Sequence, residues 1–148
     1  MLVVDIDAIT EDVIDMALRI HKELGPGLLE TVYEVVLAAK LEKLGYSVKR
    51  QVPVSIKFED LAFDGAFRVN ILVNDILVIE VKSVEQLSGA HKKQLLTYLR
   101  LMTLPVGLLI NFSGERLKDG LSRIVNQHCP SASSRLRVNQ NSAPLREE

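Results

Sequence analysis

One mixed β-sheet flanked by helices, an α/β fold, is what this sequence predicts. Three observations carry that expectation. Apolar residues recur at helical spacing as far as Leu44. From Tyr46 the pattern changes to the alternation of strands, and a strand–helix–strand succession follows from Ile76 to Phe112.

In the first segment Thr10, followed by Glu11 and Asp12, reads as an N-cap with acids in the first turn. Ile9 and Ile14 are placed as a hydrophobic staple around that cap. Val13, Ala17, Ile20 and Leu24 continue the helical spacing until Gly25-Pro26-Gly27 stops it. A first helix is therefore expected over Glu11 to Leu24. A second starts near Leu28 and carries Leu29, Val32, Val36, Leu37, Leu41 and Leu44 before Gly45. The sharp turn between them predicts that both pack on a common surface.

Val48, Arg50, Val52, Val54, Ile56 and Phe58 share one strand parity, and Pro53 marks an edge strand or a break. Glu59-Asp60 is a turn candidate, after which Leu61 to Phe63 pairs back, and Asp64-Gly65 signals a turn or bulge. Asn74-Asp75, set between Ile71-Leu72-Val73 and Ile76-Leu77-Val78-Ile79, reads as a tight hairpin. Ser88 can cap a third helix running to about Met102. Val106 to Phe112 is apolar enough to be a strand covered on both faces. The order strand, helix, strand predicts a parallel pair. A last helix is expected over Arg116 to Gln127.

The chain has 148 residues, 47% hydrophobic and 25% charged, which suits one compact domain with a sizeable core. Residues 1–128 read as that domain. Residues 129–148, rich in Ser, Asn, Pro and charge, read as a disordered tail. The net charge of -1 provides no global basic field, so any nucleic-acid binding needs a local patch. Lys49, Arg50, Arg68, Lys92 and Lys93 make a modest one. Cys129, the only cysteine, excludes an intrachain disulfide and multi-cysteine metal sites. With no signal peptide and no membrane-length apolar run in view, a cytoplasmic protein is expected.

The residues that invite a chemical reading are Glu80 and Lys82, at the end of the apolar strand of the hairpin. Alternation points both the same way, roughly 7 Å apart along the strand. Taken alone, the pair reads as a partly solvated ion pair at a strand end. Other residues converge on it. The Asn74-Asp75 turn brings Asn70 opposite Glu80 at the open end of the hairpin. Glu30 lies in the first turn of the second helix, with Tyr33 a turn further on. His91, Gln94 and Tyr98 share one face of the following helix. Each has a structural alternative: a dipole-stabilised surface acid for Glu30, boundary residues of an amphipathic helix for Gln94 and Tyr98.

Gly27-Leu28-Leu29-Glu30-Thr31-Val32-Tyr33 has the pattern G-x-x-E-x-x-Y. Together with Phe67-Arg68-Val69-Asn70, Glu80-Val81-Lys82, Gln94-x-x-x-Tyr98 and Val106 to Phe112, it resembles the small bacterial GxxExxY proteins of the PD-(D/E)xK nuclease superfamily. The resemblance runs from about Asp7 to Asn126. It implies a restriction-endonuclease-like core in the order αβββαβ, acting on nucleic acid, with DNA the expected substrate and a homo-oligomer possible. It also implies a Mg²⁺ or Mn²⁺ site drawing on Glu80, the carbonyl of Val81, Glu30 and the position of Asn70. Lys82 would position the attacking water, Gln94 and Tyr98 would line the active site, and His91 would stand at its rim.

One position departs from the family pattern. The metal-binding aspartate falls on Asn70, whose amide brings no negative charge. Asp64 is roughly 20 Å away along an unbroken strand, and Asp75 belongs to the turn at the opposite end of the hairpin. Two expectations follow. Either Glu30 and Glu80 support a weakened metal-dependent nuclease, or the chain keeps the nuclease architecture as a catalytically inactive binder of nucleic acid or protein.

Overall fold

Two layers of helix enclose a sheet whose central strands are apolar on both sides. The computed structural model describes residues 5–127 and Cys129. Helices α1 (Ile6–Leu24) and α2 (Glu30–Lys43) come first. Strands β1 (Val48–Phe58), β2 (Leu61–Val73) and β3 (Leu77–Lys82) follow. Helix α3 (Gly89–Met102) then leads to β4 (Val106–Asn111), a 3₁₀ turn at Leu117–Gly120, and β5 (Leu121–Val125). The sheet order is β1-β2-β3-β4-β5. Among the described residues only the β3–β4 pair is parallel. No helix among the described residues is long and apolar enough to cross a membrane.

The two helices that open the chain share one core, as their spacing predicts. Ile9, Val13, Ala17 and Ile20 of α1 and Tyr33, Leu37 and Leu41 of α2 pack against Ile71, Ile79, Val81, Leu108 and Ile110. Helix α1 begins well before the expected Glu11, because Asp5 and not Thr10 is the cap. The Asp5 carboxylate accepts from the N–H groups of Asp7 and Ala8 at 3.0 and 3.3 Å. Thr10 is buried inside the helix, so the expected staple around it does not form. Helix α2 starts two residues after the expected Leu28, since Gly25 and Gly27 both take positive φ in the connecting turn.

The opposite face of the sheet carries α3, whose Leu95, Tyr98 and Leu99 cover Val69, Leu72, Val78 and Leu109. Ser88 caps this helix through a reciprocal pair with His91. Strand β4 is buried along its whole length, as an apolar run between two helical layers must be.

Strand β1 is the sheet edge that Pro53 requires. The register shifts between Val54 and Ile56, where Gly65 of β2 takes φ 68, so Asp64-Gly65 is a bulge. Parity along β1 is not uniform, however. Val48 packs toward α1 and α2, whereas Val52 and Val54 pack toward α3. The switch falls beside Gln51, a non-glycine residue in the left-handed region with φ 53.

The expected last helix is corrected to a 3₁₀ turn and a strand. Leu117, Leu121 and Ile124 mimic helical spacing, yet Gly120 breaks the run and β5 pairs antiparallel with β4 from Leu121 to Val125. A Cβ at Gly120 would lie 2.5 Å from the Asn111 carbonyl oxygen, so glycine is needed for this close return. Arg123 of β5 is buried and pairs with Asp7 of α1 at 3.0 Å. Of the expected tail, Cys129 alone is described, buried beside Val125. Residues 130–148 lie outside the described residues.

Candidate active site

The β2–β3 hairpin sets the geometry. Asn74 and Asp75 take φ 50 and 55, and the Ile76 N–H closes the turn on the Val73 carbonyl at 3.0 Å. Cross-strand pairing runs from Val73 with Leu77 to Ile71 with Ile79 and stops there. The next step brings Asn70 opposite Glu80, as the turn predicts, but side chains replace the ladder. The Asn70 N–H donates to Glu80 Oε2 at 2.8 Å. The Val81 N–H donates to Asn70 Oδ1 at 2.9 Å. The sheet opens at this point because β2 and β3 diverge, and the Asn70 amide fills the gap.

The other half of that amide reaches a residue that sequence reasoning missed. Asn70 Nδ2 donates to Glu34 Oε1 at 2.5 Å. Glu34 is 2% exposed and accepts three further bonds. Gln51 Nε2 reaches Oε1 at 2.7 Å, while Arg50 Nε and Nη2 reach Oε2 at 3.0 and 2.9 Å. Neighbouring strand residues ordinarily point to opposite faces. The left-handed φ of Gln51 explains how Arg50 and Gln51 hold the same carboxylate. A signal for Glu34 was present in the sequence. It is a lone acid one helical turn beyond Glu30, amid Tyr33, Val35, Val36 and Leu37.

Glu30 also comes to this end of the sheet, where its Oε2 accepts from the Ser83 N–H at 3.2 Å. Ser83 Oγ in turn donates to the Leu28 carbonyl at 2.8 Å, tying the strand end to the start of α2. Tyr33 does not join the site. Its ring stacks on Phe112 with centroids 4.3 Å apart. Its hydroxyl donates to the Gly25 carbonyl at 2.5 Å and accepts from the Leu28 N–H at 3.1 Å. It thereby braces the turn that aims Glu30. His91 is likewise accounted for by the start of α3, where Nδ1 accepts from the Ser88 N–H at 3.0 Å.

Glu80 is buried, 5% exposed, and its carboxyl is pushed up to about 7. Burial is the main cause. The Asn70 N–H and the charge of Lys82 pull it down, while Glu30 and Glu34 push it further up. Lys82 is half-buried on the same parity of β3, and no ion pair joins it to Glu80 within 4.0 Å among the described residues. The strand-end ion pair expected of these two is thus replaced by a longer-range interaction. Tyr98 lies close enough that the charge of Glu80, after burial, raises its phenol. Its ring lies tilted against Phe67 at 5.0 Å. Gln94, one turn earlier on α3, is exposed and makes no hydrogen bond to this group.

Glu30, Asn70, Glu80, Val81, Lys82 and Tyr98 therefore converge, with Glu34, Arg50 and Gln51 as an unanticipated shell behind Asn70. This end of the sheet joins a buried acid, a lysine and two helix-borne carboxylates. A sequence profile of the PD-(D/E)XK nuclease superfamily matches residues 7–124. The chain belongs to that superfamily. The mixed five-stranded sheet flanked by helices agrees with its restriction-endonuclease-like fold. Among curated proteins none matches the chain. A solved structure, the crystal structure of SSO0001, is similar over 86% of this chain and 71% of its own, at 20% identity and a TM-score of 0.45.

Superfamily membership implies interaction with nucleic acid and typically a divalent metal ion, so the donors can be tested against one. Glu80, Glu30 and the Val81 carbonyl are hard oxygens, suited in kind to Mg²⁺ or Mn²⁺. The Lys82 carbonyl accepts from the Phe112 N–H on the β4 side at 2.9 Å. Alternation then turns the Val81 carbonyl toward β2, beyond the last ladder pair. In number the donors fall one carboxylate short. Asn70 is neutral, and its Oδ1 is already taken by the Val81 N–H. No group of three or more His, Cys, Asp or Glu among the described residues is placed to hold a metal ion.

Proposed function

We propose that the chain is an attenuated metal-dependent nuclease, hydrolysing phosphodiester bonds of nucleic acid, DNA in the first instance, at the Glu80–Lys82 end of β3. One observation carries the reading: Glu80 is a buried carboxylate, held among Glu30, Glu34 and Lys82 without an ion-pair partner of its own among the described residues. Burying a charge in that state costs several kcal/mol. A bound cation or a phosphate drawn in by Lys82 would recover part of it, which suits a site built for occupancy rather than for stability.

Glu80, Glu30 and the Val81 carbonyl would hold Mg²⁺ or Mn²⁺. When bound, the metal lowers the pKa of water and stabilises charge on the phosphate. Lys82 orients the attacking water and balances charge on the scissile phosphate. Holding the metal would require the ionised form of Glu80, whose carboxyl is pushed up to about 7 by burial, so occupancy would rise with pH. Tyr98, close enough to feel the charge of Glu80, would line the site from α3, and Gln94, exposed on the same helix, is available to a substrate strand. Asn70 lowers metal affinity and turnover by supplying an amide where the family pattern has an acid.

The basic patch favours weak capture. Lys49 is paired with Asp75 at 2.8 Å and Arg50 with Glu34, so among the described residues Arg68 and Lys93 are the exposed cations of the patch outside an ion pair. A second reading, an inactive nuclease-fold binder, is favoured by the Asn70 amide, whose two ends are both committed to protein partners. The discriminating experiment incubates single- and double-stranded DNA and RNA with the protein and Mn²⁺ or Mg²⁺, alongside Glu80→Gln and Lys82→Ala. Slow, divalent-dependent cleavage lost in both variants is expected. Cleavage that survives in Glu80→Gln overturns the assignment, and binding without cleavage by any form favours the second reading.

A further inference from the structure

The centre is one carboxylate short in ligands, yet a third acid lies beside it. Glu34 is 2% exposed and stands one helical turn beyond Glu30 on the same face of α2. The two acids reach different strands. Glu30 Oε2 accepts from the Ser83 N–H just past β3, whereas Glu34 Oε1 accepts from Asn70 Nδ2 of β2. Beyond the effect of burial, the charges of both raise the Glu80 carboxyl, so both lie close to it.

Positions 34 and 70 constrain each other. The side chain at 70 accepts from the Val81 N–H and donates to Glu34, and an amide can do both. A carboxylate there has no proton to give, and an apolar side chain meets neither need. Glu34 in turn accepts from Arg50 Nε and Nη2 on one oxygen, and from Gln51 Nε2 and Asn70 Nδ2 on the other. Those donors take up the roughly four lone-pair sites of a carboxylate. Glu34 is therefore closed to a cation while they stay. With the acid and the amide exchanged between the two positions, the net charge would be the same. The carboxylate would then stand on β2, opposite Glu80, instead of behind it.

We propose that Glu34 carries the acid missing from position 70, as a positioning residue that holds the Asn70 amide in the gap between β2 and β3. Arg50 balances its charge, and the amide bridges groups that a cation would otherwise draw together. The metal part of this inference rests on the nuclease reading. The coupling of Glu34 to Asn70 does not.

The full chain is compared as wild type, Glu34→Gln, Asn70→Asp and the double variant Glu34→Gln/Asn70→Asp. Thermal melts in EDTA read the coupling. Both single variants melt below the wild type, Glu34→Gln because its amide nitrogen meets donors where a carboxylate oxygen accepted. The double variant recovers at least about half of the Asn70→Asp loss, since the introduced amide donates to the introduced carboxylate. An ion pair that merely pins α2 to β1 gives losses that add. Additive losses, or a double variant that does not fold, overturn the pairing. Calorimetric titration with Mn²⁺ then reads the metal, and the double variant binds at least about tenfold tighter than the wild type. Equal affinity overturns position 70 as the place of the missing acid. Neither measurement uses cleavage, so absence of nuclease activity would strike the proposed function and leave the pairing intact.

Discussion

Replacing Asn70 by Asp tests the centre most directly, and the structure supplies the size of the effect. In the native chain Asn70 Nδ2 donates to Glu34 Oε1 at 2.5 Å. An aspartate would set a carboxylate oxygen against that same oxygen. Two unit charges about 3 Å apart at an effective dielectric near 20 repel by about 5 kcal/mol. Protonation is the cheaper escape: holding a proton at pH 7 on a carboxyl of ordinary pKa near 4 costs about 4 kcal/mol, at about 1.4 kcal/mol per pH unit. The protonated oxygen then donates to Glu34 as the amide did. Arg50, already on Glu34, absorbs part of the remaining charge. A loss of about 2–4 kcal/mol at pH 7 is expected, which lowers Tm by roughly 10 °C for a domain of this size.

The pH dependence has a definite sign. The introduced carboxyl has its folded pKa raised above the unfolded value near 4. The penalty is therefore absent below about pH 4 and grows as pH rises, until the raised pKa is passed. Divalent metal should reverse it, because Asn70→Asp completes a group of acids around Glu80. A metal at 100 times its dissociation constant returns about 2.7 kcal/mol. The assay is a set of thermal melts of both proteins from pH 4 to 8, with and without Mn²⁺, backed by calorimetric titration. If Asn70→Asp melts with the wild type at every pH and gains nothing from metal, Asn70 does not face Glu34 and the reconstruction of the centre is wrong.

Other perturbations bear on separate parts of the structure. Glu80 is raised from 4.5 to about 7, so the native protein should lose stability as pH rises through that window, by up to about 3 kcal/mol. Glu80→Gln should flatten the loss in melts from pH 4 to 8, and an unchanged slope would assign it to another group. Gly120→Ala places a methyl group 2.5 Å from the Asn111 carbonyl oxygen, and urea unfolding should show about 1–3 kcal/mol of destabilisation from the forced shift. Deleting residues 130–148, whose composition lacks apolar periodicity, should leave the melting temperature within about a degree or two. A large drop would show that those residues stabilise the domain.

Local chemistry determined much of this protein from the sequence alone. The Asn74-Asp75 turn is such a case, since a short loop with two positive-φ residues sets hairpin register, and register brought Asn70 to Glu80. Alternation put Lys82 beside Glu80, Pro53 placed β1 at the edge, and Ser88 marked the start of α3. Each of these signals acts within a few residues. What only tertiary structure decided involves residues remote in the chain. Leu121 to Val125 has helical spacing and became a strand because the edge of β4 was open to it, with Gly120 permitting the approach. Thr10 has the chemistry of a cap and was buried, because Asp5 capped one turn earlier and drew Ile6 and Ile9 into the core. Glu34 gave no local sign of its partners, since Arg50, Gln51 and Asn70 reach it from two strands after β1 changes parity at Gln51. At Glu34 several donors meet and offset the cost of burying a carboxylate. That meeting is a property of the assembled sheet and helix, which no single stretch of the chain contains.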